Sequence, residues 1–457
     1  MTTFPLEDSL HRLAKQALDS GDASSISEAT EMLRGYRLAL EIAEDDAEGE
    51  SAQIALLTAV TLARRVFLGG VSVRCPAATP LRIPLPLGTT LRESVLTLGG
   101  QVGEIRSDEP LISVAAKPTP HSATFHIRTG FAGWRGGILP APSDLNISGP
   151  KAMPLAPMLA AALSVSEAFS FVRTGNSAFG RRPVGMSLWT PSPSVNWFET
   201  TDSEPALRFL PSHLWILGLG HLGQAFMWGL GVLPYANPAS ASLVLQDFDV
   251  ITPSTESTSI LTDASMVGQK KTRAMASWAE RRGFTTAIIE RHFKGDFQRQ
   301  PDEPSVAFCG VDNALARQAL DQAGFDFIVE AGLGHGHRDY RTMRLHTLPG
   351  PRPASSIWNK ADAPESVELR PGYQKLLTSG ELDRCGITLL AGKAVGAPFV
   401  GAVAATLALS EILRMLHGGV LHDTIDLDLQ AVDYRTAVAH SYDFSHLNPG
   451  YVLCGEG

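Results

Sequence analysis

Cysteine is scarce in this chain, and its placement excludes more than its number does. Cys75, Cys309, Cys385 and Cys454 are spread over 457 residues, so they form neither a metal-ligand cluster nor a disulfide framework. A reducing, cytoplasmic setting is the expectation. A basic surplus is also missing. The 38 Lys and Arg against 47 Asp and Glu give a formal net charge of -9, which leaves no overall footprint for nucleic acid or an anionic membrane. Long apolar runs are missing too. The opening MTTFPLEDSLHRLAKQ has early acids and no apolar core, unlike a signal peptide. The most apolar later stretch, 394–413, is broken by Gly396, Pro398 and Gly401, and reads as a buried helix rather than a membrane span.

What is present is enough apolar residue, 44%, to bury a sizeable core in two or three domains. The expected division is an N-terminal α/β domain at 1–190, a connection at 191–210 and a second domain at 211–457. In the first part, 24–50 reads as one or two polar-faced helices and 54–67 as an apolar helix ending before Gly69-Gly70. Short strands are expected at Val71–Val73, Ile112–Ala115 and Thr124–Ile127, and an alanine-rich helix at Pro154–Val172. That helix, in SGPKAMPLAPMLAAALSVSEAFSFVRTG, matches LAGKAVGAPFVGAVAATLALSEILRMLHGG later in the chain. Both hold a lysine, a proline turn, a small-residue helix and a Ser-Glu pair, Ser166-Glu167 and Ser410-Glu411. A duplicated α/β unit would explain the match, with the first copy a nucleotide-free scaffold.

The second part alternates strand and helix: strand 214–217, helix 222–231, strand 242–246, helix 270–281, strands 286–290 and 305–309, helix 314–324, strand 327–330. This pattern predicts a Rossmann-like, mostly parallel sheet flanked by helices. Ligands of such sheets bind beyond the strand carboxyl ends, where Gly218, Asp247, Asp312 and Glu330 all fall. In LWILGLGHLG, Gly218, Gly220 and Gly223 allow a tight turn, close backbone approach and close helix packing, which put phosphates at a helix N-terminus. Asp247 ends the next strand, where its carboxylate can take a ribose, and Asp249 follows. VGQKK then brings Lys270 and Lys271 to a helix start, a charge suited to polyphosphate; a solvated helix start is the plain alternative. Asp312 and Asn313 follow the strand VAFCG and open a helix, where either residue can act as a cap and a carboxylate can hold magnesium across phosphates. A nicotinamide oxidoreductase would use the glycines and Asp247 but leaves VGQKK and Cys385 unexplained.

These motifs make residues 214–333 resemble the ThiF/MoeB family, the adenylating domain shared with ubiquitin-activating enzymes, and the similarity extends over about the second half of the chain. The resemblance implies ATP-dependent activation of the C-terminal glycine of a ubiquitin-like or sulfur-carrier protein. It implies ribose contact by Asp247-Phe248-Asp249, phosphate contact by Lys271 and magnesium handling by Asp312. It also implies a crossover loop, about 346–392, whose Cys385 takes the activated carrier as a thioester. Arg384 beside Cys385 favours the thiolate; a packed core cysteine is the alternative, and Cys309 reads as packed within its strand. One departure is specific. Where the family has S-N-x-x-R-Q, this chain has Ser254 to Ser259, with Thr255 for the asparagine and Thr258 for the arginine. A cation from elsewhere, such as Arg12, Arg64, Arg65 or a partner, would have to replace the lost guanidinium; otherwise the site is a catalytically degenerate scaffold. His335 and His337 read as a loop touching substrate or the carrier tail, since no third zinc ligand can be placed, and His221 as facing solvent or phosphate. A conjugating enzyme is a further expected partner, and either a homodimer or an internal pseudo-dimer would complete the assembly.

Overall fold

The structure is a computed structural model that describes residues 4–114, 120–200, 204–359, 371–380 and 382–455. The chain opens with helices α1 (Leu6–Ser9), α2 (Arg12–Ser20) and α3 (Ile26–Arg34). Ser25 caps α3 by accepting the Glu28 N–H, and Gly35 ends it. The helix expected to run on through this region gives way to strand β1 (Leu38–Ile42), every residue of which is buried. Its one charge, Glu41, is satisfied by Arg74 and the Ser113 hydroxyl. A strand buried on both faces carries no alternation to separate it from a helix, which is why the sequence reading fails there.

An acidic turn, Glu44–Asp46, leads into α4 (Glu50–Ala63). There follow β2 (Val71–Arg74), α5 (Leu91–Thr97), β3 (Gln101–Val102), β4 (Leu111–Val114), β5 (His126–Ala132), β6 (Arg135–Pro140), α6 (Leu155–Thr174) and β7 (Val184–Ser187). The strands form one sheet in the order β3-β2-β1-β4-β5-β6-β7. It is parallel from β3 to β5, and antiparallel at β5/β6 and β6/β7. Ala115, expected to end the fourth strand, lies outside the described residues.

The second half begins with β8 (Phe209–Pro211), β9 (His213–Leu217), α7 (His221–Val232), β10 (Ser242–Gln246), α8 (Lys271–Arg282) and β11 (Thr285–Ile289). It continues with β12 (Val306–Cys309), α9 (Ala314–Gln318), β13 (Phe327–Leu333), β14 (Thr342–Leu348) and α10 (Ala354–Ile357). The crossover segment holds α11 (Pro371–Thr378) and α12 (Arg384–Ala391), with 360–370 and 381 outside the described residues. Then come α13 (Pro398–Leu416), β15 (His422–Asp428), β16 (Thr436–Ala439) and β17 (Tyr451–Leu453), which pairs with β8. The sheet order is β11-β10-β9-β12-β13-β14-β15-β16. This is the Rossmann-like, mostly parallel α/β sheet expected. Its first seven strands in chain order repeat the arrangement of the first sheet, with α13 taking the place of α6.

The repeat extends to side chains. Glu167 of α6 accepts the Gly180 N–H at 2.8 Å, and Glu411 of α13 accepts the His422 N–H at 3.0 Å. In each copy the glutamate of the Ser-Glu pair therefore ties down the segment that leaves the long helix. α6 and α13 are long and apolar enough to cross a membrane, but more than four-fifths of each is buried inside the protein. They pack on each other, α6 also on α4 and α13 also on α7, so one hydrophobic cluster runs through both halves.

Arg65, after α4, stitches the halves together: its guanidinium donates to the carbonyls of Thr61, Ser259, Ile260 and Thr262. It is 3% exposed. Arg65→Met is expected to lower the unfolding free energy by about 3 kcal/mol, because buried carbonyls lose a charged donor, and equilibrium denaturation in urea measures this.

Candidate functional site

The turn between β9 and α7 needs each of its glycines for a different reason. Gly218 sits at φ +83°, where a side chain is strained. Gly220, the N-cap of α7, has open space where a Cβ would be, so a ligand can approach the backbone. A Cβ on Gly223 would overlap the carbonyl oxygen of Gly218, so this glycine lets α7 pack on the turn. Asp247, just past β10, fixes the turn from the side. Its carboxylate accepts the Leu219 N–H at 2.7 Å and the Asp249 N–H at 2.8 Å, and its remaining lone pairs suit a ribose.

A cavity of about 2330 Å³ opens over these strand ends. Gly218, Gly220, Asp247, Asp249, Lys271 and Asp312 all line it; Gly223 packs beneath. Lys271 opens α8 and is paired with Asp249 at 2.7 Å, while Lys270, its N-cap, donates to the Phe248 carbonyl at 2.5 Å. Phe248 lies against His292 at the same wall, the two rings tilted by 34°. Asn313 caps α9, accepting from Leu315 N and Ala316 N. The capping role expected of either residue is thus filled by Asn313, and Asp312 makes no hydrogen bond among the described residues. A carboxylate oxygen facing a cavity of this charge is a donor that suits magnesium, which is held by one or two carboxylates together with phosphate oxygens and water.

Thr255 and Thr258 also line the cavity, and onto their segment comes Arg12 from the first half. The Arg12 guanidinium donates to the Ser254 hydroxyl at 3.2 Å, and its backbone N–H to the Ser257 hydroxyl at 3.3 Å. Burial lowers the Arg12 pKa from its usual range, while the charges of Asp8 and Asp312 work to raise it. Arg12 therefore reaches the place where the motif lacks its arginine. The two other candidate cations touch the same stretch, Arg65 at the Ser259 carbonyl and Arg64 at Glu256, but neither lines the cavity. Arg65 is spent on backbone carbonyls, and Arg64 on the Thr262 carbonyl and Glu256.

The other residues singled out in the sequence fall in several places. His221 is half-buried and lines the cavity, with its ring against Gly396 and Gly401. Cys385 is exposed at the start of α12 and is not among the residues lining the cavity, although Thr388 and Ala391 of the same helix are. Cys309 is packed in β12, where burial pushes its thiol up to about 12. Cys454 is half-buried in a bridge to Tyr235. His335 and His337 do line the cavity, and no metal-ligand group occurs among the described residues. Sequence spacing gave no signal for one further feature, the anchoring of the crossover segment on the N-terminal helices. Lys393 pairs with Asp8 at 2.8 Å and the Tyr373 hydroxyl donates to Asp19, contacts made across more than 350 residues.

The chain matches the models of the BilD N-terminal domain over residues 37–188 and the BilD C-terminal domain over residues 210–419. It is 45% identical over 440 residues, 95% of each chain, to the bacterial E1-like protein BilD of Collimonas sp. (strain OK412). Among solved structures, E. coli MccB with ATP is similar at TM-score 0.33 and 15% identity, covering 51% of this chain and 64% of that one. The E. coli tRNA N6-threonylcarbamoyladenosine dehydratase TcdA is similar at TM-score 0.30 and 16% identity, covering 45% and 86%.

Two measurements probe this geometry. Gly223→Ala is expected to abolish nucleotide binding and to lower the melting temperature together, because the added methyl displaces the turn that α7 rests on; nucleotide fluorescence titration and thermal melting read the two effects. The second is pH. Burial lowers His11 and His221 from 6.5 to about 4, so both rings are neutral in the folded protein and protonate more readily when unfolded. Their contribution to stability is complete above pH 6.5 and is lost as pH falls towards 4. Urea midpoints taken between pH 7 and pH 4.5 should fall, and His221→Gln should flatten that decline.

Proposed function

Because the chain belongs to the BilD family of bacterial E1-like proteins, we propose that its second half uses ATP to adenylate the C-terminal glycine of a ubiquitin-like or sulfur-carrier protein. The observation that carries this is the convergence on one cavity of the glycine turn, Asp247, Lys271, Asp312 and the first half's Arg12. The backbone of the turn and the N-terminus of α7 bind phosphate. Asp247 holds the ribose. A carboxylate oxygen of the carrier attacks the α-phosphorus and pyrophosphate leaves with the bridging oxygen's electron pair, giving an acyl adenylate. Lys271 and Arg12 stabilise the negative charge that develops on the phosphates. Magnesium, when bound, would be held by Asp312 and would neutralise the leaving pyrophosphate.

Thioester formation is a second step in this proposal. The Cys385 thiolate attacks the acyl carbon and AMP leaves. Its exposed position outside the cavity lining supports a role after adenylation rather than in it, and a cytoplasmic location keeps the thiol reduced. A carrier ending in glycine fits this reading because the carbon beside the reacting carboxylate then bears no side chain to hinder close approach to the nucleotide. A lysine-conjugating partner and a sulfur-accepting one are both consistent with this chemistry.

ATP–pyrophosphate exchange with small β-grasp proteins from the same genome tests the proposal. Asp312→Ala should abolish exchange, and Arg12→Ala should lower it roughly 100-fold, as loss of a preorganised cation does at a developing charge. Cys385→Ala should leave exchange intact and remove the thiol-sensitive protein adduct on gels. Nucleotide binding without exchange for any carrier would instead mark a noncatalytic scaffold.

A further inference from the structure

The loop 334–341 carries His335, His337 and Tyr340 into the cavity wall, and the first half holds it there. Arg173, in the last turn of α6, donates from Nη1 to the Tyr340 hydroxyl oxygen at 3.0 Å. Arg341 donates to the same oxygen from Nε at 3.1 Å. Each guanidinium is itself fixed. Asp22 holds Arg173 at 2.5 Å, while Arg341 donates to the Ser170 hydroxyl at 2.5 Å and lies 5.3 Å over the Phe169 ring. Asp22, Phe169, Ser170 and Arg173 all belong to the first half.

A phenol oxygen accepts two hydrogen bonds and donates one. Here both acceptor positions are occupied by guanidinium donors, so the hydroxyl proton has to point away from the brace. Among the described residues no acceptor takes it. Tyr340 is 3% exposed, yet it lines the cavity. Two adjacent positive charges polarise the O–H bond and strengthen it as a donor.

The sheet order says which part of a ligand lies there. Asp247 follows β10, whereas Tyr340 lies between β13 and β14. With β9 and β12 between them, β10 and β13 are three strand spacings apart, roughly 14 Å. His335, His337, Tyr373 and Lys393 line the cavity around this end, supplied by the same loop and the crossover segment rather than by the glycine turn. An extended polypeptide approaching the nucleotide from this side presents carbonyl oxygens, and at its end a carboxylate.

We propose that the Tyr340 hydroxyl is a binding donor for a carbonyl or carboxylate oxygen of the carrier's C-terminal tail, and that Arg173 of the first half is the positioning residue that aims it. This rests on the proposed adenylation of a carrier. The first copy then contributes substrate recognition as well as the Arg12 charge.

The test is ATP–pyrophosphate exchange in steady state, varying a purified β-grasp protein that ends in glycine at saturating ATP, and then varying ATP at saturating carrier. Tyr340→Phe, which deletes one oxygen, should raise the KM for carrier roughly three- to tenfold, the value of one hydrogen bond, with kcat and the KM for ATP unchanged. Arg173→Met should act in the same way and Arg173→Lys should recover most of the loss. An unchanged carrier KM in Tyr340→Phe, or a parallel rise in the KM for ATP, overturns the proposal while leaving adenylation standing. Wild-type protein that exchanges with no carrier rejects adenylation, and this proposal with it. If Arg173→Met melts early, the Tyr340→Phe result decides.

Discussion

The packing of α6 on α13 is the contact on which the rest of the molecule depends. Each helix is apolar around its whole circumference, so neither can face water, and each finds its cover in the other copy and in α4 or α7. Joining the two sheets back to back through their long helices satisfies both at once. It also decides what lies over the strand ends of the second sheet. The first half's N-terminal helices are brought to the mouth of the β9 turn, and that is how a residue as early as Arg12 reaches a cavity built mainly from residues after 218.

Within this shared frame the two copies have diverged at one turn. Where β9 is followed by glycines and the start of α7, β1 is followed by Glu44, Asp45 and Asp46 and then α4. Carboxylates in a turn disfavour an anion there, whereas free backbone N–H groups at a helix start favour one. The first copy keeps the strand order, the long helix and the Glu167 tie to the following segment, with acidic residues where the second copy has its glycine turn. What it supplies is reach: Arg12 on the 254–258 stretch of the cavity wall, and Asp8, Asp19 and Arg173 on the crossover segment and the loop 334–341.

Much of the second half was legible in the sequence because its signals are local. The strand at 242–246 was placed to the residue, and Gly218, Gly220, Asp247, Lys271 and Asp312 meet at one cavity as their places at strand ends and helix starts imply. The first half was less legible for a physical reason. β1 is buried on both faces with its one charge internally paired, and β6 and β7 have glycines where packing is tight, so neither shows a period that identifies a strand. Long-range contacts left no trace at all. That Arg12 lines the cavity while Arg65 is spent on backbone carbonyls and Arg64 on a carbonyl and Glu256 could be seen only in the structure, and the placement of Cys385 outside the cavity lining is not encoded in its neighbours.

The central claim is a single nucleotide site in the second half, completed by the first. Calorimetric titration of the intact protein with magnesium ATP tests it most directly. The structure predicts one site per chain, lost in Lys271→Ala and unaffected by neutralising Glu44, Asp45 and Asp46. Two sites per chain, or one that survives Lys271→Ala, would contradict it.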